Sequence, residues 1–205
     1  MIGLTLASAP LHAADPDVGA LLARLPRPAP DSTSFVEVRY SSLLEEPIVV
    51  SGRLEHREDG SLVRRVEWPY QDVTVLRGEN VSVERAGSKP RRFTLDRAPE
   101  LRGMLASFGA ILQGDRQLLD RYFAVTAQGS DSRWEITLTP RNDKLKRHLS
   151  RVVVDGTENR PKCFMLEEPD GDGSLMALGV AGSGDLPASL DRDVLHAWCT
   201  DGDGQ

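Results

Sequence analysis

Between Ser34 and Asp96 apolar and polar residues alternate with a period of two, run after run, with only tight turns between the runs. Val36, Val38 and Tyr40 alternate with Glu37, Arg39 and Ser41, and then Ile48, Val50, Gly52 and Leu54 alternate with Val49, Ser51, Arg53 and Glu55. Successive side chains of a strand point to opposite faces, so each strand is expected to have one wet and one apolar face. Asp59-Gly60 is a hairpin turn into a third strand, Leu62 to Trp68, which Pro69 ends. Shorter strands follow at Asp72 to Arg77, Val81 to Ala86 and Arg92 to Asp96. Strands joined this tightly form an antiparallel meander, because parallel neighbours need a crossover of a dozen or more residues.

The period then changes. From Ala98 to Phe123 the residues Leu101, Met104, Leu105, Phe108, Ile111 and Leu112 fall three or four apart, one broad stripe of an α-helix. Its other side carries Gly103, Ala106, Gly109 and Ala110, and each glycine costs a helix about 1 kcal/mol relative to alanine. Gly114 breaks the pattern, and Asp115 is placed to cap a second short helix with Leu118, Leu119, Tyr122 and Phe123. The pair reads as a cover over a sheet. A further helix begins at Asp15-Pro16, carries Val18, Leu21, Leu22 and Leu25, and is ended by Pro26, Pro28 and Pro30.

After the central helices the strand pattern resumes with Phe123, Val125 and Ala127, then with Trp134, Ile136 and Leu138 up to Pro140. A short helix, Asp143 to Leu149, precedes strands at Arg151 to Asp155, Lys162 to Glu168 and Ser174 to Val180. The count is about eleven strands. An antiparallel sheet of that size with one solvated face tends to curl, and its concave side must be filled by side chains, helices or a ligand.

At 205 residues and 40% hydrophobic composition the chain can bury a real core as one domain. A net charge of −6 gives no basic field to gather nucleic acid. No run approaches the roughly 18 apolar residues of a membrane span. Residues 1–13 read as a signal peptide, with Leu11-His12-Ala13 as its small-x-small end. The basic start of such a peptide is missing, so either its beginning is truncated, which we favour, or this is simply an apolar N-terminus. Export would put the chain in an oxidising compartment, where Cys163 and Cys199 either pair or stay two unrelated buried thiols.

No catalytic arrangement stands out. His12, His56, His148 and His196 are scattered, without the spacing of a metal site, and read as surface or packing residues. Asp170-Gly171-Asp172-Gly173-Ser174 starts like a calcium loop, but the glycine is misplaced and the twelfth position is Ala181, so it reads as a turn. Ala86-Gly87-Ser88-Lys89 lacks the upstream glycine of a phosphate loop, and Gly182-Ser183-Gly184 lacks the spacing of a nucleophile elbow. A one-sided apolar sheet under a glycine-softened cover suits a carrier of an apolar ligand, and a plain structural domain as well.

The order of the motifs resembles the LolA-like family of periplasmic outer-membrane lipoprotein carriers. The resemblance is carried by Phe35 to Tyr40, Ser51-Gly52-x-Leu54, Val66-x-x-Pro69, Leu112-x-Gly114-Asp115 with Leu119 to Phe123, and Trp134-x-Ile136-x-Leu138-x-Pro140 with Leu145. It runs from about Phe35 to Leu178. Within the family the chain is most similar to the branch found beside aryl polyene (xanthomonadin-type) pigment genes, which has a cysteine late in the sheet and another at the C-terminus. That similarity implies a Cys163–Cys199 disulfide.

The resemblance implies a mainly β (α+β) fold: a single curved antiparallel sheet forming an unclosed half-barrel, roofed by a few helices. It spans 14–205, with the lid at 98–121. It implies a periplasmic, monomeric carrier, without cofactor, metal or enzymatic activity, that takes an acylated lipoprotein or lipid-like ligand from an inner-membrane donor to an outer-membrane acceptor. Val36, Val38, Tyr40, Val50, Leu54, Trp68, Phe93, Leu95, Trp134, Ile136 and Leu138 would line the cavity, and Leu101, Leu105, Phe108 and Leu112 would form the underside of the lid. Carriers of the family tether the lid through an arginine of an Arg-Pro pair after the second strand. The nearest match here is Arg57-Glu58, with Arg53 and Arg65 as substitutes. Those carriers have an aromatic-rich cavity, whereas this chain has only eleven aromatic residues, so a lipid-linked polyene or other acyl compound is the sharper expectation for the cargo. The rival expectation is a non-transporting sensor or adaptor on the same half-barrel, binding a protein partner.

Overall fold

A computed structural model describes residues 17–25, 28–95, 109–111, 114–130, 132–180 and 182–201. Eleven strands make one antiparallel sheet: β1 (Asp31–Tyr40), β2 (Ile48–His56), β3 (Leu62–Trp68), β4 (Asp72–Arg77), β5 (Asn80–Arg85), β6 (Arg91–Thr94), β7 (Phe123–Gly129), β8 (Trp134–Pro140), β9 (Arg151–Thr157), β10 (Arg160–Glu167) and β11 (Gly173–Leu178). The order across it is β6-β5-β4-β3-β2-β1-β11-β10-β9-β8-β7. Two meanders, each zipped from strand to strand, thus meet at a β1–β11 seam in the middle, where Phe35 pairs with Leu178 and Val38 with Leu175. The sheet does not close into a barrel. Its edges, β6 and β7, are consecutive in sequence, so residues 95–122 connect one edge to the other.

The strand and hairpin expectations hold. Gly60 adopts a positive φ of 74°, its N–H donates to the Arg57 carbonyl, and the Asp59 carboxylate accepts from the Ser61 N–H. That is the Asp-Gly turn chemistry written in the sequence. At Gly52 the β2–β3 register slips, and an added Cβ would lie 1.9 Å from the Arg65 carbonyl oxygen, so only glycine fits there.

The described helices are α1 (Val18–Arg24), α2 (Arg116–Tyr122), α3 (Asp143–Lys146) and α4 (Arg192–Asp201), with a helical turn at 109–111 and a 3-10 turn at Ser183–Asp185. As expected, Asp115 caps α2 by accepting from the Leu118 N–H at 2.9 Å. Two expectations are corrected. The cap of α1 is Asp17, whose carboxylate accepts from the Gly19 N–H at 2.8 Å, rather than Asp15. The sequence reading also contained no C-terminal helix, although Leu195, Trp198 and Cys199 share one side of α4.

The helices divide the sheet into two faces. On the inner face α1, the 109–111 turn, α2 and α3 bury Leu21, Leu22, Ala110, Ile111, Leu119 and Leu145 against Phe123, Trp134, Ile136, Leu138, Val152, Val154 and Phe164. Trp134 anchors this layer. Its indole lies over Gly156, where a Cβ would come within 2.2 Å of the ring, and its N–H donates to the Glu158 carbonyl at 2.9 Å. On the outer face α4 packs Leu195 and Cys199 against Val38, Cys163, Leu175 and Ala177. Cys163 and Cys199 form a disulfide that staples α4 to β10.

Candidate functional site

Most of the expected lid, including Leu101, Leu105, Phe108 and Leu112, lies outside the described residues. Its described end, Ala110 and Ile111, is completely buried beside α1 and α2.

The cavity residues named from the sequence do not share one surface. Paired residues in antiparallel neighbours project to the same side, so the register assigns each strand position to a face. Val50 and Leu54 pair opposite Glu37 and Thr33, which puts them on the inner face. Phe93 reaches the same side through the pairings Val81–Phe93, Leu76–Val81, Leu62–Leu76 and His56–Leu62. Trp134, Ile136 and Leu138 are also on the inner face, already covered by the helices. Leu95 is buried just past β6. Val36, Val38 and Tyr40 point the other way, toward the α4 side. Val38 packs on Leu195 and Cys199, and the Tyr40 hydroxyl donates to the Leu190 carbonyl at 2.7 Å. Trp68 pairs with Ser51 on that outer side and is largely exposed. These four residues are corrected from the inner wall to the outer face.

The reason is that β1 sits at the centre of the sheet and is covered on both sides. Phe35, Val36, Glu37 and Val38 are all buried, and such a run carries no one-sided alternation. The position taken as wet, Glu37, is therefore an inner-face residue. Its carboxylate accepts from Arg39 Nε at 3.0 Å and Nη2 at 3.1 Å, and it is also contacted by Arg64 Nη2. The Arg64 guanidinium stacks 4.9 Å from the Phe35 ring centroid. Burial pushes the Glu37 pKa up, but Arg64 and Arg39 together outweigh it and hold the carboxyl below the usual range. Farther along, Arg85 pairs with Asp72 at 3.3 Å and stacks 4.9 Å from the Tyr70 ring.

The inner wall of β1 to β5 is thus an apolar patch of Phe35, Val50, Leu54 and Val66 beside a line of paired charges. Among the described residues its buried apolar members include Phe35, Val50, Val66 and Val81, with Leu54, Tyr70, Met176 and Leu178 packed half-buried around the first three. Arg57 does not reach this wall. It is exposed and bonds Glu55 at 2.9 Å, and Glu55 also receives Arg65 from the outer face. Arg53 pairs at 3.7 Å with the exposed Glu67. Arg39, Arg64 and Arg85 stand on the inner face and pair with its carboxylates, a role the sequence reading gave to none of them.

A second cluster lies on the outer face. Glu135 of β8 pairs with Asp155 of β9, and His196 of α4 faces both, so that one ligand atom from each lies within 4.8 Å of the others. No helix of the described residues is long and apolar enough to cross a membrane.

A family model described as "Outer membrane lipoprotein carrier protein LolA-like" matches residues 8–202. No curated protein matches the chain. Among solved structures, the chain is similar to the LolA superfamily protein NE2245 from Nitrosomonas europaea at 10% identity and a TM-score of 0.43, over 89% of this chain and 98% of that one. It is similar to a DUF1329 family protein from Desulfovibrio piger at 12% identity and a TM-score of 0.46, over 87% and 96%. The Pseudomonas aeruginosa MucA/MucB complex matches at 14% identity and a TM-score of 0.41, over 83% of this chain and 60% of that one.

Proposed function

Because the chain belongs to the LolA-like family of outer membrane lipoprotein carrier proteins, we propose that it is a carrier that shelters the acyl or other apolar part of a lipoprotein or lipid-linked molecule on the inner face of its open sheet. The observation that carries the reading is the division of that face. The β7–β11 half is packed by leucines from α1, α2 and α3, whereas the β1–β6 half sets the apolar Phe35, Val50, Leu54, Val66 and Phe93 beside the buried carboxylates Glu37 and Asp72. An acyl chain is matched to such a wall by its apolar surface alone.

The segment 98–121 acts as the lid: its described end, Ala110, Ile111 and Leu119, is anchored on the β7–β11 half, and Gly103 and Gly109 let it shift over the β1–β6 half. Residues 1–13 direct export, and the 14–205 domain works in the periplasm, where the disulfide is stable and cargo passes from an inner-membrane donor to an outer-membrane acceptor. The Cys163–Cys199 pair also supports membership of the aryl polyene-associated branch, for which a lipid-linked polyene is the cargo.

Native mass spectrometry of the protein taken from its own periplasm tests the reading. Co-extracted lipid is expected, and Leu105→Asp or Phe108→Asp should abolish it. Clean apo protein that takes up no fluorescent fatty acid overturns the proposal. Hydrogen exchange with and without lipid tests the lid. If 98–121 in empty protein is as protected as the central strands, that segment is core and does not open.

A further inference from the structure

Between the outer face and α4 lies a buried group of ionisable side chains that the carrier reading does not use. Asp155 is only 3% exposed, and its neighbours across the sheet are Glu135 on β8 and Cys163 on β10. Over it stands His196, held in place because Cys199, three residues on in the same helix, is bonded to Cys163. Asp155 Oδ2 and His196 Nε2 face each other at 3.9 Å, too far for a hydrogen bond, and both are buried without a hydrogen-bond partner. Such orphaned atoms are rare, because each forfeits the hydrogen bonds it had in water.

We propose that Glu135, Asp155 and His196 form a binding site for a divalent transition-metal ion of the zinc class. Ligands about 2.1 Å from a tetrahedral zinc lie about 3.4 Å apart. The 3.9 Å gap therefore closes onto an ion with side-chain shifts of a few tenths of an ångström, whereas it is too wide for direct contact. One imidazole nitrogen and two carboxylates are a donor set for zinc and its neighbours, since calcium and magnesium take oxygen ligands. The third ligand is already oriented. Glu135 Oε1 accepts from Gln128 Nε2 at 2.9 Å and from Thr137 Oγ1 at 3.2 Å, hydrogen bonds that fix the direction of its carboxylate.

Arg151, which feels the Glu135 charge, does not take the ion's place. Arg151 is engaged by both oxygens of Glu167 at 2.7 Å. Burial, helped by Glu135 and opposed by His196, pushes the Asp155 pKa up to about 6. With an ion in place, β8, β9 and α4 are clamped together one helical turn from the disulfide.

The test titrates the oxidised full chain, stripped with EDTA, with Zn²⁺ and with Co²⁺ near neutral pH. One ion per chain, a rise in melting temperature and visible Co²⁺ bands are expected, with no competition from excess Mg²⁺. Glu135→Gln, Asp155→Asn and His196→Gln should each weaken binding at least about tenfold. Glu135 is half-buried on a strand, so Glu135→Gln keeps the test alive if a substitution at Asp155 unfolds the chain. Absence of saturable binding overturns the proposal. So does binding that all three variants retain, which would belong to other histidines such as His56 or His148.

Discussion

The two halves of the inner face are built from the same kind of strand and solve burial differently. Across β7 to β11 the inward positions are mostly apolar, from Trp134, Ile136 and Leu138 to Met176 and Leu178, and α1, α2 and α3 bring leucines to meet them. Across β1 to β5 the inward positions mix apolar residues with paired ions: Glu37 with Arg39 and Arg64, and Asp72 with Arg85. A closed apolar core has no reason to contain ions, because a buried pair seldom beats a hydrophobic replacement of similar volume. Their presence marks the β1–β5 half as a wall built for something other than maximal stability, and the β7–β11 half as the scaffold that supplies it.

The contrast can be broken at several points. The largest expected effect is in the scaffold. Trp134→Ala removes the residue that fills the space above Gly156, and should destabilise the protein by about 3–5 kcal/mol in denaturant titration while leaving the fatty-acid affinity of the remaining folded molecules unchanged. Next is Glu37→Gln, which leaves Arg64 and Arg39 without their counter-ion and should cost about 3 kcal/mol. This variant also carries a pH signature. The Glu37 pKa is lowered on folding, so its stabilisation is complete above the ordinary carboxylate range and is lost as pH falls from there through the lower folded-state value. Melting temperature against pH should fall less steeply on the acid side for Glu37→Gln than for the wild type.

Leu54→Asp sharpens the comparison from the other side. Leu54 is only half-buried, so stability should change by about 1 kcal/mol, while uptake of a fluorescent fatty acid should disappear. A large stability loss with intact uptake would make this half ordinary core. The smallest effect belongs to Arg57→Ala. An exposed pair with Glu55 is worth under about 0.5 kcal/mol, and neither melting temperature nor lipid release should respond. Arg64→Ala should alter both.

The sequence made the strands and their turns legible because period two and Asp-Gly chemistry are local properties. It made α2 legible because Gly114-Asp115 is a stop followed by a cap. It misassigned β1, where Val36, Val38 and Tyr40 looked like the inward set, because a strand covered on both sides has no face that local pattern can name. Only the pairing of Glu37 with Met176, nearly the whole length of the sheet sequence away, decides which side is inner. The Glu135–Asp155–His196 group was illegible for a related reason. Its members come from two strands and a helix, at spacings set by loop lengths rather than by any motif. The side chains of α4 did hold a signal, since Leu195, Trp198 and Cys199 repeat at helical spacing.

The β1–β11 seam also orders events in time. Its partners, such as Phe35 and Leu178, are separated by almost the whole sheet, so the seam cannot form until the last strand has been made. Until then β2 protects one side of β1, while the other side is a free edge with apolar residues on both faces. Long-range pairings of this sort are slow, and an apolar free edge is a template for aggregation. A newly made chain is therefore most vulnerable at its middle strand, and truncation before Gly173 should yield a sticky half-sheet rather than a smaller folded protein.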